Sequence, residues 1–451
     1  MTNPVTVGPV TVGIDIGTTS VKAVAAAADG SVVARARVVT PLRSGHAGEL
    51  AHDARASWHD AVQAALAEVA RGLDVRGVQV AAMVPSLCAV DADGVPISDG
   101  LLYGDARGSG GDPTKNPSES GELVRFLSWL VEQHPAAAGY WPAQAVANRA
   151  LGGPEAGTID TVVAMTTLPL FDFSGWDAAV AAGAGLSDLA KLPSLMAGTT
   201  AIGSVAAAGG ALLGPGTIDA YGEQLVAGAE DDGDVLVILG STLIVWVVVP
   251  DWVEVPDLWT VPHTVPGKVL IGGPSNAGGL FRNWASQLLA DEGPSPEAPA
   301  IDRVPVWQPY LRGERVPFHD PSRRASLHDL DIGMGHAAAR RAADEASAFA
   351  LRHIIDLSGA EARRIVATGG GVQAASWVQA LADGTGLPVD VVAVPEGAAL
   401  GAAYLARVTA GLEPDLSGAG RWAHVDRRVD PDPAALAPTA ARYRRYRELA
   451  G

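Results

Sequence analysis

Two short segments of this chain share one layout, and that repetition constrains the fold more than any other feature. Residues 11–26, TVGIDIGTTSVKAVAA, read as a strand (Thr11–Ile16), a tight turn of small residues (Gly17–Ser20) and a second strand (Val21–Ala26). Asp234–Leu239, Gly240–Thr242 and Leu243–Val249 run through the same sequence of strand, small-residue turn and strand. Apolar, β-branched runs bounded by Gly, Ser and Thr mark strands and turns. A unit of this kind that opens each half and is followed by helical patterns predicts two α/β domains of similar ancestry.

The stretches around these units fit that expectation. After the first unit, Ala28–Ser31 (ADGS) reads as a hairpin turn into a third strand, Val32–Val38. Trp58, Val62, Leu66 and Val69 recur at near-helical spacing, so Ala54–Gly72 is expected to be an amphipathic helix. Val78–Pro85 and Leu87–Val90 read as strands, Gly108–Ser120 as a loop, Gly121–Gly152 as helical and Thr161–Thr167 as a strand. Ala178–Gly216 carries helical patches and a strand at Thr199–Val205. Beyond the second unit, Glu292–Ala300 is a Pro-rich loop, while Arg364–Thr368 and Val389–Val394 are strands. Helices are expected at Ala337–Leu357, Ala374–Gly384, Glu396–Gly411 and Pro433–Leu449. The pattern restarts near residue 216, dividing the chain into domains 1–216 and 217–451.

Composition narrows the function classes. A chain of 451 residues with 48% hydrophobic and 18% charged residues can fill two large cores. A formal net charge of -18 repels phosphate backbones and anionic lipid, so neither nucleic acid nor a membrane surface is an expected partner. Cys88 is the only cysteine, which excludes a disulfide framework and a thiolate zinc cluster and fits a reducing cytoplasm. The opening MTNPVTVGPV has no basic stretch before an apolar core, so a signal peptide is not expected. Val235–Val249 is an apolar run of 15 residues, short of the ~20 that span a bilayer, and reads as a buried hairpin. A cytoplasmic location follows as the expectation.

Four motifs carry chemistry. In GIDIGTTSVK (Gly13–Lys22), a carboxylate at a strand end precedes a Gly-Thr-Thr-Ser turn whose N–H groups and hydroxyls can hold a phosphate. Asp15 can hold Mg²⁺ through water, and Lys22 can neutralise phosphate charge. The plain alternative is a hairpin turn, but an Asp in an apolar strand costs free energy unless paired or ligated. In TIDA (Thr217–Ala220), Asp219 reads either as a general base or as a carboxylate at a helix start, and the residues alone favour the helix start. In LGST (Leu239–Thr242), the hydroxyls can meet a phosphate, or the segment is a second plain turn. In ATGGGVQ (Ala367–Gln373), a strand enters three glycines and then a helix, so the backbone can approach a nucleotide closely or simply pack tightly. A P-loop, an H-E-x-x-H pair and a G-x-S-x-G elbow are absent from the sequence, and the histidines lack metal-ligand spacing.

Taken in order, these motifs resemble the FGGY carbohydrate kinase family of the actin-like ATPase superfamily. GIDIGTTSVKAV resembles the family's first phosphate loop, and LGST the second. LLYGDARG (Leu101–Gly108) resembles the segment that sets an Asp and an Arg beside the sugar, and GTIDAYGEQLVAGA the segment with the catalytic Asp. GGPSNAGGLFRNW and PYLRGERVPFHDP resemble second-domain landmarks, ATGGGVQAASWVQALADGTGLPV the adenosine motif and EGAALGAAYLA the helix after it.

The resemblance implies two ribonuclease H-like α/β domains around a central cleft and an ATP-dependent phosphotransferase. Asp219 would be the catalytic base, and Asp15 the Mg²⁺ anchor. Gly17, Thr18, Thr19, Ser20, Lys22, Gly240, Ser241, Thr242, Gly279, Gly370, Gly371 and Gln373 would serve ATP. Asp105, Arg107 and Asp219 would meet the sugar, with a structural ion pair as the alternative for Asp105 and Arg107. The family's xylulose kinases usually carry Gln-Met-His-Gly where this chain reads Met83-Val84-Pro85-Ser86, so Pro85 takes the place of a sugar-contacting His. The glycerol kinases' Arg-Glu pair is not found. A ketopentose such as xylulose or ribulose is the expected substrate, with another polyol (glycerol or erythritol type) or a catalytically silent sugar sensor as alternatives. A small molecule is the expected partner, and the family also allows a homodimer.

Overall fold

The computed structural model describes residues 8–45, 48–108, 121–196, 198–289, 300–394 and 396–451. The chain divides into two compact units, and the first joins residues up to Val226 with the later segment Glu396–Trp422.

In the first unit, β1 (Val10–Ile16), β2 (Ser20–Ala26) and β3 (Val32–Val39) form an antiparallel meander in which Asp15 lies directly opposite Lys22. The meander is followed by β4 (Leu50–His52), α1 (Ala61–Val69), β5 (Val75–Ala82), β6 (Ser86–Val90) and β7 (Gly100–Leu102). Next come α2 (Glu122–Gln133), β8 (Gly139–Trp141), α3 (Ala143–Gly152), β9 (Gly203–Val205), β10 (Ala211–Leu213) and β11 (Thr217–Ile218), with α4 (Asp219–Ala227) continuing directly from β11. The sheet order is β9-β10-β5-β1-β2-β3, with β5 parallel to β1 and both β10 and β11 parallel to β5. Every residue of β1 is buried, as expected for a strand covered on both faces. Val12, Ile14, Ile16, Trp58, Val62, Leu66 and Val80 meet in its core.

The second unit repeats the plan. β12 (Asp234–Leu239), β13 (Leu243–Val249), β14 (Trp259–Pro262) and β15 (Val269–Ser275) pair antiparallel, and α5 (Gly279–Leu288) follows. Then come α6 (His336–Ser358), β16 (Arg364–Thr368), α7 (Ala375–Thr385) and β17 (Val389–Val392). The order β14-β15-β13-β12-β16-β17 ends on a last strand, β18 (Val425–Val429), and α9 (Pro433–Ala450) closes the chain. In each unit an antiparallel block, β1–β3 in the first and β12–β15 in the second, is extended by strands parallel to its first member. The apolar run Val235–Val249 is the β12–β13 hairpin, and no helix among the described residues is long and apolar enough to cross a membrane.

The compact units divide the chain differently from the expected boundary at 216 in two places. β11 and the first turns of α4 belong to the first unit, because Thr217 and Ile218 pair with Ala81 and Ala82. The helix α8 (Gly397–Thr409), expected in the second domain, also returns to the first unit. There it lies across β1 and β5 at glycines. A Cβ on Gly13 would overlap the Ala399 carbonyl oxygen, and one on Gly77 the Ala406 carbonyl oxygen. Thr11 Oγ1 donates to the Ala403 carbonyl at 2.8 Å.

Four local expectations also change. Thr161–Thr167 is helical, not a strand, because the Asp160 carboxylate accepts the Val162 N–H at 2.7 Å and starts a helix despite the β-branched run. Gly121–Gly152 is two helices with β8 between them, Pro135 standing in the break. The strand expected over Thr199–Val205 is confined to β9. The expected helix Ala54–Gly72 begins with a wider π-helical turn at Arg55–Asp60 before α1. Most of the loops expected at Gly108–Ser120 and Glu292–Ala300 lies outside the described residues.

Because backbone atoms of α8 fill the space above Gly13, no side-chain rotation can make room there. Gly13→Ala should destabilise the protein by ~3 kcal/mol or more, read as a lower urea midpoint. A midpoint matching the wild type would mean α8 does not pack as described.

Candidate active site

The first unit gathers its chemistry around the β1–β2 turn. Gly17 N–H donates to the Ser20 carbonyl at 3.1 Å, which closes the turn. Asp15, at the end of β1, is buried, and Lys22 Nζ stands 3.8 Å from its Oδ2. Its Oδ1 is buried and meets no hydrogen-bond donor. Burial pushes the Asp15 carboxyl up, and the Lys22 ammonium draws it part of the way back. Asp219 begins α4, where its Oδ1 accepts the Ala220 N–H at 2.7 Å. Its carboxyl is pushed up to about 7, first by burial and then by the negative charge of Asp15. The helix-start reading of TIDA is therefore correct as structure, and it sets an acid of raised pKa within the field of Asp15.

Two carboxylates beside one ammonium leave the site short of positive charge. An orphaned buried acceptor costs ~1–3 kcal/mol, so Asp15 Oδ1 is a place where a cation or its water fits. Among the described residues no group of three or more His, Cys, Asp or Glu could hold a metal by itself. Mg²⁺ does not require one, since it keeps several waters and takes few protein ligands.

Two further sequence candidates adjoin this turn. The Thr18 hydroxyl is 3.3 Å from the Tyr103 hydroxyl, which ties the Leu101–Gly108 segment to the loop. Met83 N–H donates to the Ile16 carbonyl at 3.3 Å, which brings the β5–β6 connection with buried Pro85 to the same end of β1. Asp105 is 2% exposed and accepts four hydrogen bonds. Its Oδ1 takes the Arg107 N–H and Nε–H, both at 2.8 Å. Its Oδ2 takes the Leu50 N–H and Arg107 Nη2, both at 2.7 Å. The ion-pair alternative is what the structure contains, and these donors occupy the carboxylate's acceptor positions. The Arg107 guanidinium also lies 5.1 Å from the centre of the Trp129 ring.

In the second unit, Gly240 N–H donates to the Thr242 carbonyl at 3.1 Å, making a turn like that at Gly17. The start of α5 packs onto it: Gly279 N–H reaches the Gly240 carbonyl at 2.9 Å and Leu280 N–H the Ser241 carbonyl at 3.0 Å. Only glycine fits there, since a Cβ on Gly279 would stand 2.6 Å from the Gly240 oxygen and one on Gly278 would overlap Thr242. The triple glycine lies against the same strand end, with Leu239 beneath Gly369 and Gly371. Gly370 and Gln373 are exposed, and nothing lies within 4 Å of where a Gly370 Cβ would be. The structure thus brings Gly240, Ser241, Thr242, Gly279, Gly370 and Gly371 around one end of β12.

Sequence reasoning passed over Glu314, although it lies inside a segment singled out by resemblance. Its buried carboxylate accepts from Ser275 Oγ, Asn276 N–H and Arg315 N–H, each at 2.7 Å, and fixes the chain leading into α5. Burial still pushes it up to about 7. Its place between Arg312 and Arg315 in the sequence reads as a solvated charge run, so no local signal marked its burial.

Comparison with known proteins is in accord with this geometry. Residues 10–111 match the N-terminal domain model of the FGGY family of carbohydrate kinases, and residues 239–410 match the C-terminal domain model. A probable L-xylulose kinase of Pasteurella multocida is 24% identical, over 97% of each chain. The structure of a xylulose kinase from Lactobacillus acidophilus superposes with a TM-score of 0.82 at 23% identity, covering 98% of both chains. That of a gluconate kinase from the same organism gives 0.81 at 23% identity, covering 98% of this chain and 97% of the other. Both units have the actin-like ATPase fold of these kinases. With the two family models together spanning more than half of its length, this chain belongs to the FGGY family of carbohydrate kinases and is a phosphotransferase that carries phosphate from ATP to an alcohol group of a sugar-type substrate.

Proposed function

We propose that the acceptor is a ketopentose such as xylulose or ribulose and that Asp219 is the base for its attacking hydroxyl. The observation that carries the base assignment is the placement of Asp219: a carboxyl at a helix start, raised to about 7, within the field of Asp15 beside the first turn. A base of that strength takes a hydroxyl proton as the new bond forms, while remaining ionised for much of the time near neutral pH. The hydroxyl oxygen bonds to the γ-phosphorus, the bond to the β,γ-bridging oxygen breaks, and ADP departs with that oxygen. The proton stays on the Asp219 carboxyl.

The loop residues position and neutralise. Thr18, Thr19 and Ser20 of the first turn and Ser241 and Thr242 of the second offer N–H and hydroxyl donors to the terminal phosphates, and Lys22 adds positive charge. Gly370, Gly371 and Gln373 offer an open backbone edge to the nucleoside, and Gly279 holds the second turn in place. Asp15 would hold Mg²⁺ through water, and the ion would supply charge neutralisation on the β- and γ-phosphates. Arg107, aimed by Asp105 and Trp129, meets sugar hydroxyls, and Asp105 acts through it. Pro85 presents an apolar ring where a histidine would donate, so the hydrogen-bond demand on that side of the sugar is lower. The ketopentose reading is supported by the xylulose kinase names among relatives that align over nearly the full chain.

ADP release with Mg-ATP across ketopentoses, pentitols, gluconate and glycerol identifies the acceptor. Turnover should be highest on a ketopentose, and a preference for gluconate or glycerol would overturn that assignment. Asp219→Asn should lower kcat by ~10²–10⁴ while Mg-ATP still binds; retained turnover would remove Asp219 from the chemistry. Arg107→Lys, which keeps the charge and loses the fork, should raise the sugar KM by ~10-fold without moving the KM for Mg-ATP. An unchanged sugar KM would take Arg107 out of the sugar site. Asp105→Asn leaves Arg107 with a weaker partner and should cost ~2–4 kcal/mol of stability in urea denaturation.

A further inference from the structure

His52 closes β4 with no exposed surface, and both of its ring nitrogens are engaged. Trp58 Nε1 stands 3.0 Å from His52 Nδ1, and His52 Nε2 stands 2.7 Å from the Thr18 carbonyl oxygen. An indole N–H only donates, so Nδ1 accepts. A carbonyl only accepts, so Nε2 carries the hydrogen. The two contacts fix one neutral tautomer. Burial also holds the imidazole below its ordinary pKa, which keeps Nδ1 free to accept. Trp58 is itself locked, since it has no exposed surface and a Cβ on Gly100 would overlap its ring.

The target of this relay gives it meaning. A turn that holds phosphate must face its N–H groups toward the anion and its carbonyl oxygens away. In the first turn, the Thr19 carbonyl is held by Thr40 N–H at 3.0 Å and the Ser20 carbonyl by Gly17 N–H at 3.1 Å. The Thr18 carbonyl is held by the His52 side chain. In a trans peptide the carbonyl and the next N–H point in opposite directions, so the bond to Thr18 also sets the direction of the Thr19 N–H. The second unit meets the same need with main chain alone. There, Gly279 and Leu280 N–H hold the Gly240 and Ser241 carbonyls, and Gly240 N–H holds the Thr242 carbonyl. His52 does in the first unit what the start of α5 does in the second.

We infer that His52, oriented by Trp58, is a positioning residue of the first phosphate loop: it turns the Thr18 carbonyl away from the bound phosphate and aims the Thr19 N–H at it. The inference rests on the reading of residues 17–20 as a phosphate loop.

The test compares His52→Gln, whose amide N–H reaches the place of Nε2, with His52→Asn, which is one carbon too short. Binding of the non-hydrolysable analogue Mg-AMPPNP, measured by calorimetry, is the first readout because it does not depend on turnover. His52→Asn should weaken binding by ~10-fold or more, as for the loss of one hydrogen bond to a charged group, and His52→Gln should stay within ~3-fold of the wild type. In the kinetic assay, His52→Asn should raise the KM for Mg-ATP and lower kcat while the sugar KM stays unchanged. Equal losses in the two variants, no loss in a folded His52→Asn, or an effect confined to the sugar KM would overturn the inference. If His52→Asn does not fold, Trp58→Phe decides, since it removes only the donor to Nδ1. Weakened Mg-AMPPNP binding in Trp58→Phe would support the relay, and unchanged binding would overturn it. Failure of the proposed function has a different signature: wild-type protein without turnover on any acceptor, or turnover that survives Asp219→Asn, with the contrast in Mg-AMPPNP binding still present.

Discussion

The close approach of helix α8 to β1 is the constraint on which the first unit depends. A helix normally packs on a sheet through side chains at about 10 Å. Here the backbone of Ala399 fills the volume over Gly13, and Gly77 and Gly222 give α8 similar access at Ala406 and Ala398. The strand beneath is buried along its whole length, so Asp15 at its end is drawn out of water with it. The raised carboxyl of Asp15 follows from that burial, and the charge of Asp15 then adds to what its own burial does to Asp219. What makes β1 a rigid floor also leaves a carboxylate oxygen of Asp15 buried without a donor.

The turns that open the two units show how one architecture can be built from different parts. Both follow a buried strand, carry hydroxyl residues and close on a glycine N–H, although Gly17 reaches three residues ahead and Gly240 only two. Both have their carbonyls held from outside. In the second unit this work falls to consecutive main-chain N–H groups at the start of α5, which depends on Gly278 and Gly279 for contact. In the first it is shared between the Thr40 N–H and an imidazole held by an indole. Main-chain donors tolerate any side chain that avoids a clash, whereas a side-chain donor ties the loop to the identity of one residue.

How much could be read from the sequence depended on how local the cause was. The β1–β2 and β12–β13 hairpins were legible because β-branched runs and small-residue turns act within a few residues. Thr161–Thr167 misled the same reasoning, because the cap provided by Asp160 outweighed a β-branched run only a few residues long. Asp219 looked locally like a helix start, and it is one; its chemical setting comes from burial and from Asp15, far away in sequence. His52 gave no sign at all, because its partner Thr18 is 34 residues away and a lone histidine has no pattern of its own. Asp105 was found, but its saturation by Arg107 and Leu50 could be seen only in coordinates. The return of α8 to the first unit was hidden for the same reason, since a small-residue helix does not announce which sheet it will meet.

That return orders events during synthesis. The sheet of the first unit is encoded before residue 219, yet the helix that covers β1 and β5 lies at Gly397–Thr409. A nascent chain therefore emerges with its opening sheet uncovered on one face, and it must keep that apolar surface from other chains until the second unit has been made. Truncation anywhere before α8 removes part of the first core as well as the missing residues, so the amino-terminal segment is not an independent piece that can be shortened from behind.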